Sequence, residues 1–525
     1  MNSLPLIDLT VIILYMLAML WIGFYFSKKN KNAEQFTTAM GKIPGWAIGV
    51  SIFATFLSSN TFLGVTGKAF GSNWNAFVFS LSMPLAAWVA VKYFVPFYRH
   101  GGEVSAYTHL EKRFGAWART YAVACFLLTQ VARMGSIFFG IALSLQALTG
   151  FSMGSIMLVM GICIIIYTVM GGMEAIIWTD VVQGIILTLG ALLILFYVIK
   201  DMPGGVAAVS EIGNANRKFG LGSFSFDLTG STFWVILLYG FFINLSNFGM
   251  DQNYIQRYHT AENEKKAAKS VWLSVYLYVP ISMLFFIIGA SLFAFYFVHP
   301  EMSDAVKMQA AVEQLGANAT AEQLSSAVAG MQPSDYGDKV LPHFMVSKIP
   351  PGLVGLVIAA ILSAAMSTIS SCMNASATVF TIDIYRKYFK KDLSDKKMLR
   401  TLYTGTMVFG SIGLIAGLAM IGSKSILDVW WELSGIFAGG MLGLFLLGLI
   451  SRRAKNAEAL TATMIGIIII LWMTFSGKIS GDYEFLKSPL HKNMIIVVGT
   501  LTIFLTGLLL THTKKKYKEL PAGNV

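Results

Sequence analysis

Residues 363–378 read SAAMSTISSCMNASAT, a run of small and hydroxyl-bearing side chains inside a long apolar stretch that starts at Leu353. On a helix, residues three and four apart share a side, so Ala364, Ser367, Thr368, Ser370 and Ser371 crowd one face. Hydroxyls and backbone carbonyls are the ligands a hard cation such as Na+ prefers, and small side chains let a second helix come close. The chemistry on offer is ion coordination within an apolar layer. No catalytic constellation accompanies it, and the chain is not expected to be an enzyme.

Two further polar runs could supply the facing groups. One is ATFLSSNTFLG at 54–64 and the other is NLSNFGMDQN at 244–253. Polar backbone at membrane depth is tolerated only where it lines a cavity or is buried in protein. A broken helix frees carbonyls that can bind a cation and N–H groups that can bind an anion. The competing reading is a tight helix–helix contact with local Ser and Thr back-bonding. Arg133, in LLTQVARMGSIFF, is a charge within an apolar segment and so a functional candidate. Its guanidinium can grip a carboxylate through two hydrogen bonds. The alternative is a structural ion pair, with Glu174 or Glu432 as partner.

The elements that must position these groups are membrane helices. The chain has 525 residues, 55% hydrophobic and 13% charged, with mean hydropathy +0.65. Soluble domains carry about 25% charged residues. About thirteen segments are long enough to span a bilayer: 7–26, 45–70, 75–97, 119–148, 153–170, 178–199, 232–250, 270–297, 352–385, 399–421, 426–450, 459–475 and 493–511. The net charge of +12 does not imply nucleic acid, because the Lys and Arg gather in short loops. Those include the run 386–400, whose expected role is topology and contact with anionic lipid. Their bias puts the N-terminus outside and the C-terminus inside a bacterial-type plasma membrane. No cleavable signal peptide is evident. Three cysteines in apolar segments suggest neither a disulfide scaffold nor a zinc site. His259 and His343 show no metal spacing, and Gly171 with Gly172 is a turn, not a phosphate loop. The outer loop 298–351 could hold short surface helices. Trp430, Trp431 and Glu432 could cap a solute pocket.

Segments two to six and seven to eleven form two sets of five. Five is odd, so the sets enter the membrane from opposite sides, as in an inverted repeat whose first helix in each half is broken. The expected division is one extra helix (7–26), a first repeat (45–199), a second repeat (232–450), two C-terminal helices (459–511) and a cytoplasmic tail (512–525).

At this point the sequence resembles the sodium/solute symporter family. The strings that carry the resemblance are GVSIFATFLSSNTFLG (49–64), YTVMGGMEAIIWTDVVQG (167–184), DQNYIQRY (251–258) and AAILSAAMSTISSCMNASATVFTIDIY (359–385). Within the family, the sequence looks similar to the bacterial sialic acid symporters. The resemblance implies an all-α, five-plus-five inverted-repeat core. It implies a main sodium site at Ala54, Leu57, Ala364, Ser367 and Thr368. A second sodium site would use Asp180 with Ser367, Ser370 and Ser371, although Asp180 could instead be a helix cap. Solute contacts would come from Phe56, Ser58, Thr61, Ser80, Arg133, Asn247 and Phe248. Phe56 and Ser80 depart from the pattern, since the relatives carry a small polar residue at the first position and a longer polar one at the second.

The expected function is sodium-coupled import of a small polar solute, a sugar or acidic sugar, by alternating access with one or two Na+ and no other cofactor. The expected partners are Na+, the solute and membrane lipid, with no nucleic acid and no obligatory protein. The alternatives are a transporter-like solute sensor and a symporter of a monocarboxylate or amino acid.

Overall fold

Lipid cannot hydrogen-bond backbone groups, so long apolar segments satisfy their own N–H and C=O groups by forming helices. The computed structural model describes residues 4–316, 319–421, 426–477, 479 and 481–519, without the side chains at 60, 147, 426–434, 482 and 513–519. Among the described residues there is one isolated bridge, Ile43 to Ala261, and no strand. Ten helices there are long and apolar enough to cross a membrane, and the bent pair Gly45–Phe56 and Thr61–Gly71 makes an eleventh.

At the centre lies Leu353–Val379, the core helix, in which every residue from Val357 to Val379 is buried. It begins after Gly352, whose φ of 91° favours glycine. Its first N–H groups are capped from another helix: Asp8 Oδ1 accepts from Gly352 N at 2.7 Å and from Gly355 N at 2.6 Å. The small-residue composition lets neighbours sit close. A Cβ added to Gly190, on the helix alongside, would stand 2.3 Å from Ala360 Cβ.

That neighbour is Met153–Lys200, a single run of 48 residues interrupted at Gly172, with φ 59° and ψ −159°. The segments expected at 153–170 and 178–199 are therefore joined by a one-residue break and not by a loop at 171–177. The break is held from the end of the first helix, Leu6–Ser27: Asn30 Nδ2 donates to Met170 O at 2.9 Å.

Gly45–Phe56 ends at Leu57, which is extended at φ −90° and ψ 120°, and the two halves of this broken helix meet at 62°. The second polar run behaves differently from expectation. Phe233–Met250 stays helical through Asn244 to Met250, and the chain departs only at Asp251 (φ −76°, ψ 117°) before Gln252–Thr260. Asp251 starts that short helix by accepting from Asn253 N at 2.8 Å. The segment 298–351 carries three helices, Pro300–Leu315, Ala321–Gly330 and Pro333–Lys348. Trp430, Trp431 and Glu432 fall among the side chains outside the description.

Candidate functional site

The core helix brings its hydroxyl face to the broken helix. Thr368 Oγ1 lies 3.2 Å from Leu57 O, 3.2 Å from Ala364 O and 3.5 Å from Thr55 O. The carbonyl of Leu57 is released because the first half stops there, and that of Thr55 is shared with Arg133; an intact helix would spend both on its own hydrogen bonds. Four uncharged oxygens thus converge on one buried point, a donor set that suits a hard monovalent cation. Ala54 is buried in the last turn of the same half. Ser367, expected beside Thr368, turns the other way.

Its hydroxyl donates to Asp180 Oδ1 at 2.7 Å. Asp180 Oδ2 accepts from Ser51 Oγ at 2.5 Å and from Arg257 Nη2 at 2.8 Å. Both charged side chains are almost completely buried. Arg257 also donates through Nε to Ser51 Oγ, through Nη1 to Asn253 O and through Nη2 to Ser371 Oγ, at 2.8, 2.6 and 2.8 Å. Ser370 Oγ and Ser371 Oγ donate back to Ser367 O at 3.1 and 2.9 Å. The expected second set is therefore assembled around a guanidinium. Asp180 is no helix cap, because the break is at Gly172 and Asp180 sits well inside the following helix.

Arg133 lies at the edge of the first cluster, where its Nη2 donates to Thr55 O at 2.9 Å. Its Nη1 stands 3.8 Å from Asp251 Oδ2. Neither expected ion-pair partner fills that place: Glu174 is bound by Lys29 at 3.1 Å and Gln35 at 2.7 Å, and the Glu432 side chain is outside the description. A small cavity between helices is lined by Arg133, Asp251, Gln130, Asn247 and Ser246 among others. Phe56 faces Tyr254, Phe248 and Tyr278, with ring centroids 4.5, 5.4 and 5.5 Å away. Ser80 Oγ pairs with Ser282 Oγ at 2.7 Å. Ser58 N donates to Thr61 Oγ1 at 3.3 Å, so these two close the turn of the broken helix.

Sequence reasoning missed Ser51, Thr55, Asp251 and Arg257 as site residues. Arg257, which lies in the DQNYIQRY string, is 1% exposed. A signal was present: the polar run 244–253 leads directly into it, and a charge following such a run is poorly placed for lipid.

The sodium:solute symporter family profile matches residues 36–466. The chain belongs to this family. Among its members, the sodium/sialic acid symporter NanT of Aliivibrio fischeri is 33% identical over 93% of this chain and 91% of its own length. The sodium/sialic acid symporter SiaT of Proteus mirabilis is 32% identical over 94% of each. A solved Na+-coupled sialic acid symporter, substrate-bound and outward-open, superposes with a TM-score of 0.84 at 29% identity, covering 97% of this chain and 98% of that one.

Proposed function

We propose that this protein is a sodium-coupled symporter that carries a small polar organic solute, of the sugar or sugar-acid class, through the plasma membrane by alternating access. The observation that carries the reading is the meeting of Thr368 Oγ1 with the carbonyls of Leu57 and Ala364. Ala54, Leu57, Ala364 and Thr368 would hold one Na+, joined by Ser367 once its hydroxyl turns from Asp180. The ion would fasten the core helix to the broken helix and order the solute pocket beside it. That pocket would take contacts from Phe56, Ser58, Thr61, Ser80, Arg133, Asn247 and Phe248. A second ion at Asp180, Ser367, Ser370 and Ser371 must share or displace the Arg257 guanidinium. Each inward Na+ contributes about 2.3 kcal/mol per 100 mV.

Thirteen spans follow if the bent pair counts once, Met153–Lys200 counts as two, and Ile426–Ile450 is included. Two sets of five then give opposed repeats, with the N-terminus outside. A second reading, a smaller or uncharged solute, draws on the aromatic packing around Phe56 and on the existing Arg133–Asp251 pair.

Uptake of labelled sialic acid into proteoliposomes under an inward sodium gradient tests the proposal, with neutral sugars, monocarboxylates and amino acids as competitors. Accumulation that collapses without the gradient and is competed by sugar acids is expected. Solute binding with no gradient-driven accumulation overturns symport in favour of a sensor. Competition by monocarboxylates alone overturns the sugar-acid assignment.

A further inference from the structure

A cavity lies away from the ion face, at the end of the first helix. It has a volume of about 430 Å³ and is lined by Lys28, Lys29, Lys31, Lys42, Gln35, Ala39, Ile43 and Glu174. Four ammonium groups thus surround a space that one carboxylate shares, leaving three positive charges in excess. Glu174 is committed within the wall, to Lys29 at 3.1 Å and to Gln35 Nε2 at 2.7 Å. Lys28, Lys31 and Lys42 are exposed.

The wall is shaped by backbone as well as charge. After the short helix Ala33–Thr38, residues Ala39, Met40 and Gly41 take φ values of 48°, 54° and 67°. This left-handed run reverses the chain and returns Lys42 towards Lys28 and Lys29. Such a run costs free energy at Ala and Met, so the turn is held by its surroundings.

Beside the cavity lies a broad apolar face. Trp21, Phe24 and Tyr25 on the first helix are 64%, 52% and 52% exposed, and Trp46 is 53% exposed. Trp46 packs edge-on to Trp178 at 5.7 Å between ring centroids. Lys28 Nζ stands 5.3 Å from the Phe24 ring centroid, and Lys29 Nζ stands 5.7 Å from that of Tyr25. Aromatic side chains of this kind mark the membrane–water boundary. The cationic cavity therefore opens where an apolar, lipid-facing surface ends. A ligand that fits both must carry an anionic head and apolar tails.

We propose that this cavity is a binding site for the phosphate-bearing headgroup of an acidic membrane lipid, with the acyl chains lying along the exposed face of the first helix. Lys28, Lys31 and Lys42 supply the charge, and Gln35 supplies a neutral donor. Glu174 stands two residues past the Gly172 break and six residues before Asp180, on the same helical half. At a rise of about 1.5 Å per residue, the headgroup sits roughly 9 Å along the helix from Asp180. A bound lipid thereby buttresses the helix that presents Asp180 to the core.

The test uses the purified full chain in phosphatidylcholine nanodiscs with and without phosphatidylglycerol, reading the thermal unfolding midpoint. Phosphatidylglycerol is expected to raise the midpoint of the wild type by a few degrees, because a ligand of the folded state stabilises it. The variant K28Q/K31Q/K42Q is expected to lose most of that gain. R452Q/R453Q/K455Q, which removes equal charge from the exposed loop just before Asn456–Ser476, is expected to keep it. The proposal is overturned if the cavity variant gains as much as the wild type, or if the distant variant loses as much as the cavity variant. It is also overturned if soluble glycerol phosphate in phosphatidylcholine gives the same gain, which would make the occupant a soluble phosphate. The reading does not depend on solute transport.

Discussion

The core helix presents two clusters less than one turn apart, and they are built on opposite principles. Around Thr368 the oxygens belong to carbonyls and a hydroxyl, with no formal charge among them. Around Asp180 a full negative charge is already answered by Arg257. A dipolar cluster gains electrostatically when a cation arrives. A compensated ion pair gains only if the cation displaces or shares the guanidinium, at a desolvation cost. The comparison teaches that occupancy at Thr368 can respond to sodium directly, whereas occupancy at Asp180 is tied to the position of the short helix that carries Arg257.

The largest expected effect breaks the compensated cluster. Asp180→Ala leaves a buried guanidinium unpaired and should cost about 3–5 kcal/mol of stability. Adding Arg257→Gln should restore much of it, as read by thermal unfolding. If the single variant is as stable as wild type, the two charges are not coupled as described. The same variants sharpen the stoichiometry: with an ion at Asp180 in the wild type, their coupled flux falls from two Na+ per solute to one. A 1:1 ratio in the wild type that Asp180→Ala leaves unchanged would exclude an ion at Asp180.

Next comes the dipolar cluster. Thr368→Ala removes one uncharged ligand to a cation, worth about 1.5–3 kcal/mol, or roughly tenfold to a hundredfold in sodium affinity. Thr368→Ser should stay near wild type. Equal sodium affinity in the alanine variant would place the ion elsewhere. Arg133→Ala should weaken acidic solutes more than neutral ones in a competition assay, by about tenfold if one charge-assisted contact is lost. Equal weakening would mean that Arg133 serves the fold through Thr55 O and Asp251 alone.

The smallest effect lies outside both clusters. Lys218, in the connection between Gly205–Ala215 and Phe233–Met250, donates to Phe70 O at 2.6 Å and lies 3.7 Å from the Phe293 ring centroid. Burial lowers its ammonium to about 8. The unfolded chain then binds more protons between about 8 and the ordinary lysine value near 10.4, so stability should rise with pH across that window. The unfolding midpoint should climb by a few degrees there, and Lys218→Met should flatten the climb.

Sequence and structure agree where chemistry is local. The hydroxyl run and the polar break at 54–64 each declare themselves by residue type, and the family resemblance is what paired Thr368 with Leu57. The pairings around the arginines were not, because they are set by tertiary approach. Asp251 reaches Arg133 only after the chain turns off at the end of Phe233–Met250. Arg257 reads as a loop cation until the short helix Gln252–Thr260 is seen to fold inward. The break at Gly172 was masked by its brevity: one glycine at φ 59° does the work that the hydropathy pattern assigned to a loop.

The Thr368 hydroxyl carries one proton and faces three carbonyl oxygens. With that proton aimed at a carbonyl, the side chain is a donor; to ligate a cation it must swing the proton away and offer a lone pair. Each ion that enters or leaves would thus reverse the polarity of a single O–H bond at a fixed heavy-atom position. Repulsion among the carbonyls is relieved by a proton in one orientation and by a metal charge in the other. Threonine or serine can perform that reversal within one rotatable bond. Valine, which matches threonine in shape, cannot perform it at all.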